Sequence, residues 1–309
     1  MNPYEYDLDP FRDVPEELAL YEETGRIDTG MKRPRQVDVD SKGLIYVAGD
    51  GGVRVFDGDG ALVRGFKTGS AAHCIAVAAD GTLYVGLENH VEVYSSDGKR
   101  QAQWMSLGEN AFLTDVAVGK GEVFVADFDS KLVWRFDTTG KLLGHIGERD
   151  VEKGFPGFHL PSPYFSLALA PDGSLWVVNP GKLRVEKHTK EGVFQESWGE
   201  PDMRIKGFCG CCNPTDVEIL ADGSFVTSEK GLPRVKVYDA KGTLKAVVAG
   251  PKQFAEGTVG LDLAVDAAGR ILVLDPRAKA VRFFSKKNER NPAAKTAPAT
   301  ETPTETPDA

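Results

Sequence analysis

Four cysteines are the residues of this chain best suited to chemistry. Three lie in Gly207-Phe208-Cys209-Gly210-Cys211-Cys212-Asn213-Pro214, and the fourth is in Ala72-His73-Cys74-Ile75, with Cys74 standing 135 positions before Cys209. Thiolates are good ligands for zinc, copper(I) and iron–sulfur clusters, so four of them at one place would form a soft-metal site. The spacing resembles neither a pair of C-x-x-C motifs nor a common ferredoxin run, and the adjacent Cys211 and Cys212 tend to point apart. A disulfide, either vicinal or from Cys74 to the 209–212 segment, and unreactive packed thiols therefore stand beside metal binding as readings of the same residues.

A second constellation comes from position matching. Gln36, Cys74, Asp115, Ser166, Asp216 and Asp262 each immediately precede the first apolar residue of a recurring unit. Three are carboxylates, which as hard oxygen ligands suit calcium. Their other role would be to accept hydrogen bonds from backbone N–H groups around a channel mouth, which three like charges in turns also fit. His73 is the histidine best placed to act as a base. His90, His145, His159 and His188 fall in turns, rim strands or loops, where surface positions are expected. No G-x-S-x-G elbow, P-loop or H-E-x-x-H motif occurs, which removes several familiar mechanisms.

The unit that must position these residues recurs six times. Its first strands are Val37-Asp38-Val39, Ile75-Ala76-Val77, Val116-Ala117-Val118, Leu167-Ala168-Leu169, Val217-Glu218-Ile219 and Leu263-Ala264-Val265, starting 38, 41, 51, 50 and 46 residues apart. Each is followed by a turn containing Gly43, Gly81, Gly121, Gly173, Gly223 or Gly269, since glycine permits the positive φ of a tight hairpin. A second strand rich in β-branched and aromatic residues comes next, then a third in which polar and apolar residues alternate. Units of 38–51 residues with four short strands predict an all-β, six-bladed β-propeller. The sixth unit has no fourth strand of its own. Ala19–Ile27 has the sequence of one, and pairing it there would close the ring and cover an open sheet edge. The expected organisation is an acidic extension over 1–18, the propeller over 19–287, and a disordered Thr/Pro-rich tail over 288–309 that lacks apolar residues to offset ordering entropy.

Blade three carries a family resemblance most clearly. Asp115-Val116-Ala117-Val118, Val123-Phe124-Val125-Ala126-Asp127 and Val133-Trp134-Arg135-Phe136-Asp137 resemble the NHL repeat, and the likeness extends over about Leu20 to Ser285. The segment Cys209-Gly210-Cys211-Cys212-Asn213-Pro214, with Ser228-Glu229-Lys230-Gly231-Leu232-Pro233-Arg234-Val235, is similar to a bacterial group of NHL-repeat proteins, from which no reaction carries over. The resemblance implies a fold used by both binding scaffolds and enzymes. A calcium held by Asp115, Asp216 and Asp262 would resemble the channel metal of propeller lactonases and related hydrolases.

Propeller geometry places the connections entering the inner strands at one channel mouth, so Cys74, in blade two, and the cysteine segment, entering opposite blade five, are expected at the same opening. The connections over 147–163 and 199–214 are long enough to act as recognition loops. Trp134, Trp176, Trp104 and Trp198 read as packing residues. Totals narrow the partners. The net charge is −9, and the first 28 residues hold nine acidic residues against Arg12 and Arg26. Without a concentrated basic face, nucleic-acid binding is not expected. Lys230, Arg234, Lys236, Lys241 and Lys245 do cluster, and alternation along a strand predicts a solvated blade edge. No apolar run approaches the roughly 18 residues of a membrane span. The start Met1-Asn2-Pro3-Tyr4-Glu5 lacks a basic-then-apolar leader, so the cytoplasm is the default compartment and an extracytoplasmic one would require a missing export leader. The expected function is a noncatalytic scaffold whose loop-lined mouth binds a protein or small molecule, with a cysteine-bound metal as an addition and a metal-dependent hydrolase or lactonase as the alternative.

Overall fold

A computed structural model describes residues 8–150, 152 and 155–287. The tail over 288–309 and the first seven residues of the acidic extension lie outside the described residues. The inner strands are Pro34–Val39, Cys74–Val77, Leu113–Gly119, Leu167–Leu169, Asp216–Ile219 and Asp262–Val265, and each begins a four-stranded antiparallel sheet. Contacts between successive inner strands, including the last with the first, join the six sheets in a ring.

The hairpin turns follow the sequence. Gly43, Gly81, Gly121, Gly173, Gly223 and Gly269 all have φ between +78° and +89°, a conformation that a side chain would strain. Second strands such as Ile45–Gly49, Leu175–Asn179 and Ile271–Asp275 are buried throughout, because each sheet face packs on a neighbouring blade. Apolar clusters accordingly form between blades. Tyr84, Val91, Val93 and Trp104 of blade two pack with Leu113, Val116, Val123 and Phe136 of blade three. Outer strands such as Arg100–Gln103 are exposed along their length.

Closure runs through the N-terminal segment. Tyr21–Asp28 pairs antiparallel with Ala280–Lys286, from Tyr21 opposite Lys286 to Asp28 opposite Ala280. Blade six thus combines three strands from the end of the propeller with one from its beginning. The backbone N–H of Lys287 donating to the Leu20 carbonyl extends the seam by one bond.

Two burial expectations are corrected. Arg234 and Lys236, read as part of a solvated edge, are fully buried on the third strand of blade five. His188, read as a surface residue, is also fully buried, with its Nε2 3.3 Å from the buried Glu186 carboxylate and its ring among Phe155, Phe158 and Phe194. In each blade the third strand is covered by part of a long connection, Phe155 and Phe158 over His188 and the 203–207 backbone over Arg234 and Lys236. Alternation of polar and apolar residues marks the two faces of a strand; it does not reveal what a distant loop lays over them.

Candidate functional site

Five of the six matched positions accept blade-to-blade hydrogen bonds around the channel. Gln36 Oε1 accepts from the Ile75 N–H of the next blade, Asp115 Oδ2 from Leu167, Ser166 Oγ from Val217, Asp216 Oδ2 from Leu263, and Asp262 Oδ2 from Val37. Five of the six junctions are clasped in this way. At the remaining one, between blades two and three, Cys74 occupies the position and the Val116 N–H turns to Oδ1 of its neighbour Asp115. Gln36 Nε2 also donates to that Oδ1, linking blade one to blade three. A thiol is a poor acceptor, and an amide reaching past it supplies the missing link.

The ring gives the oxygens of Asp115 and Asp216 partners that the expected calcium would have to share or displace. Both oxygens of each already accept N–H or O–H groups, with Ser166 Oγ donating to Asp216 Oδ1. Two further carboxylates, Asp38 and Glu218, lie two residues along from Gln36 and Asp216 and therefore on the same strand faces. Asp38 accepts from the N–H groups of Val39 and Val77. Enclosure of so many acids raises their pKa values. Burial, opposed by hydrogen bonds, brings Asp115 to about 6. Asp38 reaches about 7 through burial, with further help from the charges of Asp115 and Asp40, and Asp216 about 7 through burial and Asp115. Glu218 and Asp262 are pushed well above the carboxylate range, first by burial and then by Asp216.

Above this ring is a cavity of about 280 Å³. Its walls include Arg35, His73, Phe112, Tyr164, Asp115 and Asp262. Burial, then the neighbouring Arg35 cation, pushes the His73 pKa down, favouring neutral imidazole. Among the described residues, His73 Nδ1 and Arg35 Nε are buried without a hydrogen-bond partner. The sequence singled out His73 but missed Arg35, Tyr164, Asp38 and Glu218. The last two were accessible from period-two spacing; the others become neighbours only when separate blades meet.

The expected four-thiolate site is not assembled. Cys74 is fully buried in the interface between blades two and three, where a Cβ added to Gly86 would collide with its Sγ. Its pKa is pushed well up by burial and then by Asp115. Cys209 lies beneath its own connection, its N–H donating to Glu229 Oε2, and its thiol pKa is raised by burial and then by Glu229. Cys211 and Cys212 form a pair, Sγ to Sγ 3.2 Å, next to Ser162, Lys230 and Tyr164. Among the described residues, no group of three or more His, Cys, Asp or Glu is arranged to hold a metal ion. Repeat phasing correctly relates strand positions, but it does not specify that a side chain in the Cys74 position turns into a blade interface.

What holds the cysteine connection is a buried charge cluster. Arg234 makes two bonds to Glu229, Nε to Oε1 at 3.0 Å and Nη2 to Oε2 at 2.6 Å, while Lys236 Nζ lies 2.7 Å from Glu229 Oε1. Lys236 also donates to the carbonyls of Ile205 and Gly207, and Arg234 to those of Met203 and Arg204. Burial lowers the Lys236 pKa to about 8 despite the Glu229 charge. Asn213 finishes the attachment, its side chain donating to the carbonyls of Cys209 and Lys230 and accepting from the Lys230 N–H.

Comparison with protein families finds no match, and comparison with curated proteins finds none. Solved structures do match. A streptogramin B lyase structure superposes with TM-score 0.59 at 10% identity over 86% of this chain and 98% of that one. A catalytically inactive variant of virginiamycin B lyase from Staphylococcus aureus, with quinupristin, gives TM-score 0.56 at 10% identity, over 86% and 99% of the two chains. A protein of unknown function from Bacteroides caccae gives TM-score 0.55 at 14% identity, over 72% and 83%. These likenesses show a shared six-bladed propeller fold, and at such identities they show no more than the fold. Among the described residues, no helix is long and apolar enough to cross a membrane.

Proposed function

We propose that this chain is a noncatalytic, NHL-type binding propeller whose channel mouth takes a compact polar molecule carrying a carboxylate or carbonyl oxygen. The observation that carries this reading is that Arg35 and His73 line one cavity and that each has a buried nitrogen, Nε and Nδ1, without a hydrogen-bond partner. Leaving such atoms unsatisfied is costly, and a ligand oxygen would satisfy the guanidinium while Phe112 and Tyr164 supply apolar walls. The competing hydrolase or lactonase reading needs metal-facing carboxylate oxygens, and the inter-blade clasp already occupies those of Asp115 and Asp216.

A thermal-shift screen of small carboxylic acids and amides against the full chain tests the proposal. Binding that raises the melting temperature of the wild type and is lost in both Arg35→Ala and His73→Ala supports it. Binding indifferent to both substitutions, or turnover of a lactone that disappears with His73→Ala, would overturn the noncatalytic mouth.

A further inference from the structure

The vicinal thiols occupy a built environment that the mouth ligand does not require. Cys211 is exposed and Cys212 is buried beside it. The Ser162 hydroxyl and the Lys230 ammonium neighbour the Cys212 sulfur and favour its thiolate. Lys230 Nζ also lies 3.1 Å from Ser162 Oγ and 4.6 Å from the Tyr164 ring centroid. The two bonds between Asn213 and the Lys230 backbone fix this lysine to the cysteine connection. The arrangement supplies a sulfur next to a cation, a proton donor, and a second thiol at contact distance.

We propose that Cys212 is a peroxide-reactive thiol and Cys211 its resolving partner, the two closing into a vicinal disulfide. Cys212 thiolate attacks one oxygen of hydrogen peroxide, the O–O bond breaks, and the departing hydroxide takes a proton from Lys230 to leave as water. The resulting sulfenic acid is then attacked by the Cys211 thiol; the S–O bond breaks and a second water leaves with the Cys211 proton. Lys230 is reprotonated from solvent, replacing the proton that Cys212 lost on ionising. In sum, two thiols and one peroxide give one disulfide and two waters.

The electrostatics agree with these roles. Although burial opposes ionisation of Cys212, hydrogen bonds from Ser162 and Cys211 and the Lys230 charge hold its pKa below the ordinary thiol range. The hydrogen bond to Cys212 pushes Cys211 up, keeping the resolving sulfur protonated. Cys74 and Cys209 are both shifted toward the unreactive thiol. Susceptibility to oxidation follows thiolate character and exposure, with a resolving cysteine nearby; Cys212 has the first, and the exposed Cys211 beside it gives the pair its access to solvent.

Titrating the reduced full chain with hydrogen peroxide, followed by thiol counting and peptide mass analysis, tests the site. Wild type should lose two of its four thiols, form the Cys211–Cys212 bond, and recover both on reduction. Cys209→Ser should behave like wild type at this pair, Cys212→Ser should form no such bond, and Cys211→Ser should stop at a sulfenic acid that dimedone traps. Lys230→Met should slow the first step about tenfold at pH 7 if it raises the Cys212 pKa by one unit. Competitive alkylation of unmodified protein keeps the test independent of whether a variant folds: Cys212 must react faster than Cys74 and Cys209. Equal alkylation rates, peroxide reaction unchanged in Cys212→Ser, or a wild-type bond to Cys209 would each overturn the proposal.

Discussion

Asp216 and Cys212 stand four residues apart at the beginning of one blade, yet they are held by different means. Asp216 belongs to the repeat, and its oxygens take the N–H groups of Val217 and Leu263 and the hydroxyl of Ser166. Cys212 belongs to one of the two long connections, over 199–214, which lies outside the repeated strands. Backbone carbonyls of that connection rest on Arg234 and Lys236, and its sulfur faces Ser162 and Lys230. The repeated position spends its polar atoms on joining blades; the long connection is secured from below and leaves polar atoms for chemistry above. Position in a repeat is therefore a guide to structural duty in this molecule, and departure from the repeat is a guide to candidate chemistry.

Removing the strand on which both regions depend is the severest test. Deleting Met1–Arg26 removes most of the outer strand paired with Ala280–Lys286 and exposes the edge of blade six. Aggregation or loss of cooperative unfolding is expected, and a melting temperature equal to that of the full chain would refute the closure. Truncation after Lys287 should be tolerated, with unfolding measured by circular dichroism.

Glu229→Gln separates the two regions more selectively. It leaves Arg234 and Lys236 buried without their counter-charge, a change that costs about 3–5 kcal/mol when a buried pair is broken. A melting temperature lower by roughly 10 °C is expected, taking about 2–4 °C per kcal/mol for a domain of this size. Proteolysis near Arg204 and Lys206 should accelerate first, because the carbonyls on either side of them rest on the buried cations. Uniform loosening of all blades would erase the distinction between ring and connection.

The channel acids predict a smaller, pH-dependent effect. Asp38 and Asp216 titrate at about 7 and Asp115 at about 6 in the folded chain, all above the ordinary value of 3.8. Between about pH 4 and pH 7 the folded protein consequently binds protons that the unfolded chain has lost. Stability should fall as pH rises through this window, and go on falling for as long as Glu218 and Asp262, also pushed well up by burial and by Asp216, still hold protons. Urea unfolding at pH 5, 6, 7 and 8 measures the trend; stability increasing steadily over that range would show that the acids are not enclosed as described.

The smallest expected change is at the same carboxylates with calcium. Because N–H donors hold Asp115 and Asp216, millimolar calcium at pH 8 should leave the melting temperature unchanged. A calcium-dependent rise lost in Asp216→Asn would restore the expected channel metal and place chemistry in the ring.

Much of the fold was legible because its signals are local. The six glycine turns, the apolar second strands and the missing fourth strand of blade six all reflect residues close in sequence, and the Ala19–Ile27 expectation agrees with the strand at Tyr21–Asp28. The matched positions Gln36, Cys74, Asp115, Ser166, Asp216 and Asp262 were also legible as a set, although their role as a clasp required the next blade. Where the reading failed, a long connection or a blade interface intervened. Lys236 and His188 have the sequence context of rim residues and are covered by distant chain, and Cys74 has the phase of a mouth residue but turns into an apolar interface.

By itself, the sequence determined the number of blades, the location of the turns, and the need for an N-terminal strand in the last sheet, because backbone geometry and period-two burial act over a few residues. Only the tertiary structure decided which polar atoms remain available. Asp216 is occupied by Leu263 from another blade, Glu229 is neutralised by buried cations, and Cys212 acquires Ser162 from about fifty positions away. Solvation and hydrogen-bond competition depend on which groups are brought together in space, so the chemistry of these side chains was set by neighbours that their sequence positions do not name.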